Sequence, residues 1–306
     1  MDSNKPVKNV KDLGIDISKV SNLNIDGVDS SFIKNSKLDE IEKDLPKDYK
    51  RQKRVSKFNF TQPSLIELPS GGKFYRTEDE DIKKGKIKIY PLTVREEEIL
   101  STPRYIIDGT ATIKALDNCI ESDISATDLL MYDYVYLLFY LRKISFGNEY
   151  KFRITCDNCG HEFINVLKIS EIEFKKLPKD FKEPYKIDLP ISKYTVILSM
   201  PRVKHVREFD DLQSKLTAKE REVYSGISDM FAIRTSAILD NEGNMLDKED
   251  WAEFYSSIPA LDRKELGIHA SIDSGVNEVM NNVRCPNCDS VVGGSIPITD
   301  DFFRFG

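Results

Sequence analysis

Apolar and polar positions divide the chain into an opening stretch without sustained periodicity and a longer region that alternates between strand and helix periods. Residues 1–60 are rich in Lys, Asp, Asn and Ser, and their apolar side chains are scattered apart from two short alternations, Ile15/Ile17 and Leu23/Ile25. A basic run closes the stretch: Lys47, Lys50, Arg51, Lys53, Arg54 and Lys57. Such a composition has little apolar surface to bury, so residues 1–62 are expected to form an extended or partly disordered arm. Its candidate partner contacts are Ile15, Ile17, Leu23, Ile25, Lys50, Arg51, Lys53 and Arg54, ordering on assembly. A tail without a specific role is the plainer alternative.

Regular patterning starts near Pro63. Residues 65–68 fit a short strand, Pro69-Ser70-Gly71-Gly72 a turn, and 86–92 a half-buried strand with Ile87 and Ile89 on one face. Thr93-Val94-Arg95-Glu96 has the form of a capping box and predicts a short helix through Leu100, ended by Pro103. The strongest helix is expected over 125–145, with Ser125 and Asp128 in capping positions and Leu130, Tyr134, Leu137, Leu138, Leu141 and Ile144 at helical spacing. Val135 and Phe139 make its other faces apolar as well, which places it at the centre. Residues 129–141 are the most apolar run. They contain Asp133 and fall short of the roughly 20 residues a bilayer requires, so a buried helix and no membrane insertion are expected.

After Gly147-Asn148, Tyr150, Phe152 and Ile154 alternate with Lys151, Arg153 and Thr155, a strand period. Another strand is expected over 163–169, and a hairpin from 187–190 and 194–200. Residues 203–239 read as helical with a break near Leu216, and Thr217-Ala218-Lys219-Glu220 forms a second capping box. A turn at Asn241-Glu242-Gly243-Asn244 precedes a capped helix over 247–257 and another over 260–266, which Gly267 would end. Residues 276–284 fit either period: Val276, Val279 and Val283 are helically spaced, whereas the repeat described below favours a strand near Cys285. The expected fold class is α+β, with mixed helices and short antiparallel strands in one domain over 63–306.

Composition adds limits. A chain of 306 residues can bury a sizeable core in one large domain or two ordinary ones. Its net charge of −6 argues against a general affinity for nucleic acid, though not against a local basic patch. Residues 1–26 lack a continuous apolar segment, so no secretory signal is expected and a soluble, cytosolic product is.

The cysteines carry the candidate chemistry. Four of the five stand in Cys-x-x-Cys pairs that belong to an internal repeat. Ile154-Thr155-Cys156-Asp157-Asn158-Cys159 matches Val283-Arg284-Cys285-Pro286-Asn287-Cys288, and ten residues beyond each second cysteine stands Ile169 or Ile298. Each copy reads as a knuckle, a tight turn joining two strands. Cys156, Cys159, Cys285 and Cys288 could then close one tetrahedral four-thiolate shell around a structural Zn2+, a zinc-ribbon-like module built from about 150–169 and 283–298. Replacement of one cysteine by His161, a second metal, a redox dithiol and unligated buried thiols are the alternatives. A closed four-thiolate shell leaves no position for water, which makes the expected metal structural.

Other signals are weaker. His161-Glu162 lacks the second histidine of a metalloprotease motif, and Ser70-Gly71-Gly72-Lys73 lacks the upstream glycine and following hydroxyl of a phosphate loop. His205 and His269 have no nucleophile or carboxylate pattern around them, and Cys119 reads as an incidental thiol. Glu96-Glu97-Glu98 complements a helix N-terminus.

One ordered series of motifs remains. Leu68-Pro69-Ser70-Gly71-Gly72-Lys73-Phe74-Tyr75 is followed by Ile89-Tyr90-Pro91-Leu92-Thr93-Val94-Arg95-Glu96-Glu97-Glu98-Ile99-Leu100. Cys156-Asp157-Asn158-Cys159-Gly160-His161, Pro201-Arg202-Val203-Lys204 and Ile258-Pro259-Ala260-Leu261-Asp262 come next. Cys285-Pro286-Asn287-Cys288, Ile296-Pro297-Ile298 and Asp301-Phe302-Phe303 close the series. In this order they resemble the T-even-type baseplate hub proteins of contractile-tailed bacteriophages, over most of 63–306. The second knuckle lacks the Gly-His of the first, which weakens any role for His161 beyond packing.

The resemblance implies a non-enzymatic hub component without a small-molecule substrate, made in the host cytoplasm and located in the virion's tail baseplate. Its implied partners are other hub and tail-tip proteins, with self-association left open. Two alternatives stand beside it: a transient hub assembly factor absent from the virion, and a nucleic-acid-binding zinc-ribbon protein that uses the basic run.

Overall fold

The computed structural model describes residues 60–217, 219, 226–270, 283–293, 296, 298 and 300–303. The arm contacts Ile15, Ile17, Leu23, Ile25, Lys50, Arg51, Lys53 and Arg54 lie outside the described residues, as do Ala218 and Glu220 of the second capping box and most of 276–284.

Alternation sets the first sheet. In β1 (Ser64–Glu67), Ile66 turns inward and Leu65 outward; in β2 (Lys86–Ile89), Ile87 and Ile89 are fully buried. The two pair antiparallel with Ile66 opposite Ile87, and β3 (Ile120–Glu121) adds antiparallel to β2. Between β1 and β2 the chain passes through a turn and a short helix, α1 (Glu80–Lys83), whose start is capped by the Asp79 carboxylate. Gly72 in that turn sits at φ +69°, and a Cβ there would lie 1.9 Å from the Ile82 carbonyl oxygen, so only glycine fits.

Three helices separate β2 from β3: α2 (Val94–Ser101), α3 (Pro103–Ile107) and α4 (Ala111–Cys119). At the head of α2 the buried Glu96 carboxylate accepts the Thr93 N–H (2.9 Å) and the Thr93 hydroxyl. Pro103 follows the end of α2 as expected, and also opens α3 as its first residue, where a missing N–H costs nothing.

The central helix α5 spans Met131–Phe146 and buries Leu137, Phe139 and Leu141 completely. It starts later than expected. Ser125 caps a separate 3-10 turn, Ala126–Asp128, and Leu129 and Leu130 are extended before α5 begins. The helix is apolar on several faces because the first sheet, α4, the β4–β5 hairpin and the closing 3-10 turn Asp300–Phe303 share one core around it. Phe302 packs edge-on against Phe139 and Tyr150, at 5.1 and 4.9 Å between centroids.

β4 (Glu149–Thr155) and β5 (Glu162–Lys168) form an antiparallel hairpin with Tyr150 and Phe152 turned into that core. β6 (Tyr185–Asp188) and β7 (Thr195–Leu198) form the expected second hairpin. The region after it is helical only in part. α6 (Val203–Ser214) and α7 (Ile227–Arg234) are helices, but Thr235–Leu239 is a strand, β8, paired antiparallel with β7. Ile238 stands opposite Val196, both fully buried, and this pairing overrides the helical reading. A second core gathers Ile187, Val196, Leu198, Phe231 and Ile238 with Trp251 and Tyr255 of α8 (Trp251–Ser257). The segment before α8, Lys248–Asp250, is a 3-10 turn. In α9 (Ala260–Ala270) the helix runs through Gly267 instead of ending there. Among the described residues no helix is long and apolar enough to cross a membrane.

Candidate metal centre

Strand geometry delivers the cysteines. The β4–β5 hairpin ends in a turn holding Cys156 and Cys159, and a shorter antiparallel pair, β9 (Val283–Arg284) with β10 (Val291–Val292), carries Cys285 and Cys288 in its own turn. The two turns repeat each other bond for bond. In the first, Cys156 N–H donates to the His161 carbonyl (2.9 Å) and Gly160 N–H to the Cys156 carbonyl (2.8 Å). In the second, Cys285 N–H donates to the Ser290 carbonyl and Asp289 N–H to the Cys285 carbonyl, both at 2.9 Å. Gly160 and Asp289, the residues after each second cysteine, both take left-handed backbone, at φ +70° and +56°.

The turns face one another. All four sulfur atoms lie within 4.8 Å of each other, with Cys156 Sγ 3.6 Å from Cys288 Sγ and Cys159 Sγ 3.7 Å from Cys285 Sγ. These gaps far exceed a disulfide bond of about 2.05 Å. Cys156 and Cys285 are buried in a small cluster with Val292, against which Ile154 and Phe163 pack, while Cys159 faces solvent. Burial pushes the Cys285 thiol upward, whereas the Ser290 hydroxyl, 3.3 Å away, and then the Asn158 amide hold the Cys288 thiol down. Four sulfur donors from two rigid turns can hold one metal ion.

His161 is exposed and lies against Phe163, outside the sulfur cluster. His205 is half-buried at the head of α6, where its Nδ1 accepts the Arg202 N–H at 3.2 Å. Cys119 is fully buried in the main core.

Sequence reasoning missed what the other motif residues do. Asp133 of α5 is fully buried and accepts the Ser70 N–H (2.9 Å), the Ser70 hydroxyl and the Tyr75 hydroxyl (2.6 Å), so it holds the turn after β1 onto the central helix. Burial raises its pKa against those bonds. Arg202 donates to the Asp128 and Phe74 carbonyls (3.0 Å each) and pairs with the Glu183 carboxylate at 2.9 Å. Asp262, buried at the start of α9, accepts the N–H groups of Ile191 and Ser192 at 2.7 and 2.8 Å. Burial alone would raise the Asp262 carboxyl; these bonds hold it below its usual range. The sequence signal was an acid inside an apolar helical run, at Asp133, which marks a buried group needing partners.

Fold and site together define an α+β protein whose buried polar residues pin loops to helices and whose distant cysteine turns meet in one metal-capable centre. The chain belongs to the T4 bacteriophage base plate protein family, whose family model matches residues 61–304. No curated protein and no solved structure matches it.

Proposed function

We propose that this base plate protein is a structural component of the baseplate hub of a contractile phage tail, rigidified by a bound zinc ion and without enzymatic activity. The observation that carries the reading is the convergence of four cysteine sulfurs from two turns in a chain of this family. Zinc suits the donor set: a tetrahedron with Zn–S bonds of about 2.3 Å has edges of about 3.8 Å, close to the sulfur spacings observed. A shell of four thiolates leaves no open position for a reacting group, which favours a structural ion. The motif residues support the same role, since Ser70, Tyr75, Glu96, Arg202 and Asp262 are spent on holding turns and helix ends in place.

In this reading the partners are other hub and tail-tip proteins, met by protein–protein contact in the virion tail after synthesis in the host cytoplasm. Residues 1–62 act as a separate arm reaching those partners. In support, the family match begins at residue 61, close to where regular patterning starts. Quantitative mass spectrometry of purified virions, with metal analysis of the isolated protein, tests the proposal. Stoichiometric peptides from this chain and about one zinc per chain are expected. Peptides absent from virions but abundant in assembling tails would instead make the chain a transient assembly factor.

A further inference from the structure

The residue just before each second cysteine has a partner across the centre. Asn158 Nδ2 lies 3.6 Å from the sulfur of Cys288, and Asn287 Nδ2 lies 3.6 Å from the sulfur of Cys159. Each asparagine therefore donates to the second cysteine of the opposite turn and not of its own. Asn158 also donates to the Ser290 hydroxyl at 3.0 Å, and that hydroxyl in turn lies 3.3 Å from Cys288 Sγ. Both asparagines occupy the same position of the repeat, so the crossing obeys the pseudo-twofold relation between the turns.

We propose that Asn158 and Asn287 are positioning residues of the metal centre, a reciprocal brace in which each turn supplies an N–H donor to a thiolate of the other. This inference rests on the metal reading above. A thiolate ligand keeps lone pairs that point away from the ion, and an N–H donor placed there steadies its charge and fixes its direction. Because the donors cross between turns, they resist separation of the turns as well as loss of the ion. Aspartate at either position would put a carboxylate beside a thiolate and repel it.

The test uses the full chain and its Asn158→Ala, Asn287→Ala and Asn158→Asp variants. Each is loaded with Co2+ for absorption spectra and titrated with Zn2+ against a chromophoric chelator. Both alanine variants are expected to move the sulfur-to-cobalt charge-transfer bands to longer wavelength, because a thiolate without its donor gives up an electron more readily. Zn2+ affinity is expected to fall about tenfold in each, with a larger loss in the aspartate variant. A loss of stability that leaves the four-sulfur shell intact would lower affinity without moving the bands. Should the variants not fold, wild-type protein loaded with 113Cd2+ decides: the metal couples through the hydrogen bonds to the side-chain amide protons of Asn158 and Asn287. Unchanged bands and affinity in both alanine variants, or no such coupling in the cadmium protein, overturn the brace while leaving the metal reading intact. A wild-type chain that takes up none of the three ions defeats both.

Discussion

Asp289 and Gly160 occupy one position of the repeat in the same left-handed conformation, yet only glycine adopts it without steric cost. The Arg284 guanidinium offsets part of that cost by donating to the Asp289 carbonyl (3.0 Å) and carboxylate (3.1 Å), an exposed pairing of small value. Asp289→Gly is therefore expected to stabilise the protein by about 1 kcal/mol, read as a higher denaturation midpoint at unchanged slope. His205 gives a pH-dependent counterpart. Burial, then Lys204, Arg234 and Arg202, lower its pKa from 6.5 to about 4, so the folded state keeps the ring neutral. A depressed folded pKa means that the unfolded chain binds the proton first; the contribution is complete above pH 6.5 and is lost as pH falls toward 4. After allowance for the ring's partial exposure this amounts to about 1–2 kcal/mol. His205→Gln retains an acceptor for the Arg202 N–H without titrating, and its denaturation free energy should fall less than the wild type's between those pH values. Equal falls would remove His205 from the acid response.

The elements show which local signals survive packing. β4, the β6–β7 hairpin and the α2 cap were legible because alternation, turn residues and a capping pair agree with the environment each element meets. The strand β8 was not, since Thr235–Leu239 follows a helix without a break and its choice is made by an open edge of β7 far back in the chain. Gly267 was misread for a similar reason: glycine is only about 1 kcal/mol worse than alanine inside a helix, and a packed helix can absorb that. The start of α5 was misplaced because the Ser125 signal is genuine but caps a shorter turn upstream. Asp133 ties the turn after β1 to α5, and Asp133→Ala would leave the Ser70 N–H, the Ser70 hydroxyl and the Tyr75 hydroxyl without their acceptor in the core. A loss of about 3 kcal/mol or more is expected, less for Asp133→Asn, which keeps one oxygen. Amide hydrogen exchange at Ser70 and Leu130 should speed up alongside, because Tyr75 also accepts the Leu130 N–H at 3.0 Å. Stability unchanged in both variants would mean that the buried carboxylate holds nothing.

At the scale of the molecule the cysteine centre joins segments that are remote in sequence but already neighbours through the core. Tyr150 and Phe152 anchor the β4–β5 hairpin from one side, while Phe302 anchors the closing segment against the same helix and tyrosine. An ion held by both turns therefore binds only where the core has brought those turns together, and it stabilises by binding the folded chain in preference to the unfolded one. One consequence separates this arrangement from two independent knuckles. If a single ion takes all four sulfurs, Cys156→Ser with Cys159→Ser should cost as much as Cys285→Ser with Cys288→Ser. The fourfold serine variant should then cost little more than either pair, since the second pair has no ion left to lose. The expected loss is a few kcal/mol, and a strong chelator should bring the wild type down to the level of the variants. Thermal unfolding of the four proteins with and without chelator measures all of this. Strictly additive losses would point to separate sites, and a fourfold variant as stable as the wild type would leave the sulfur cluster without any part in holding the molecule together.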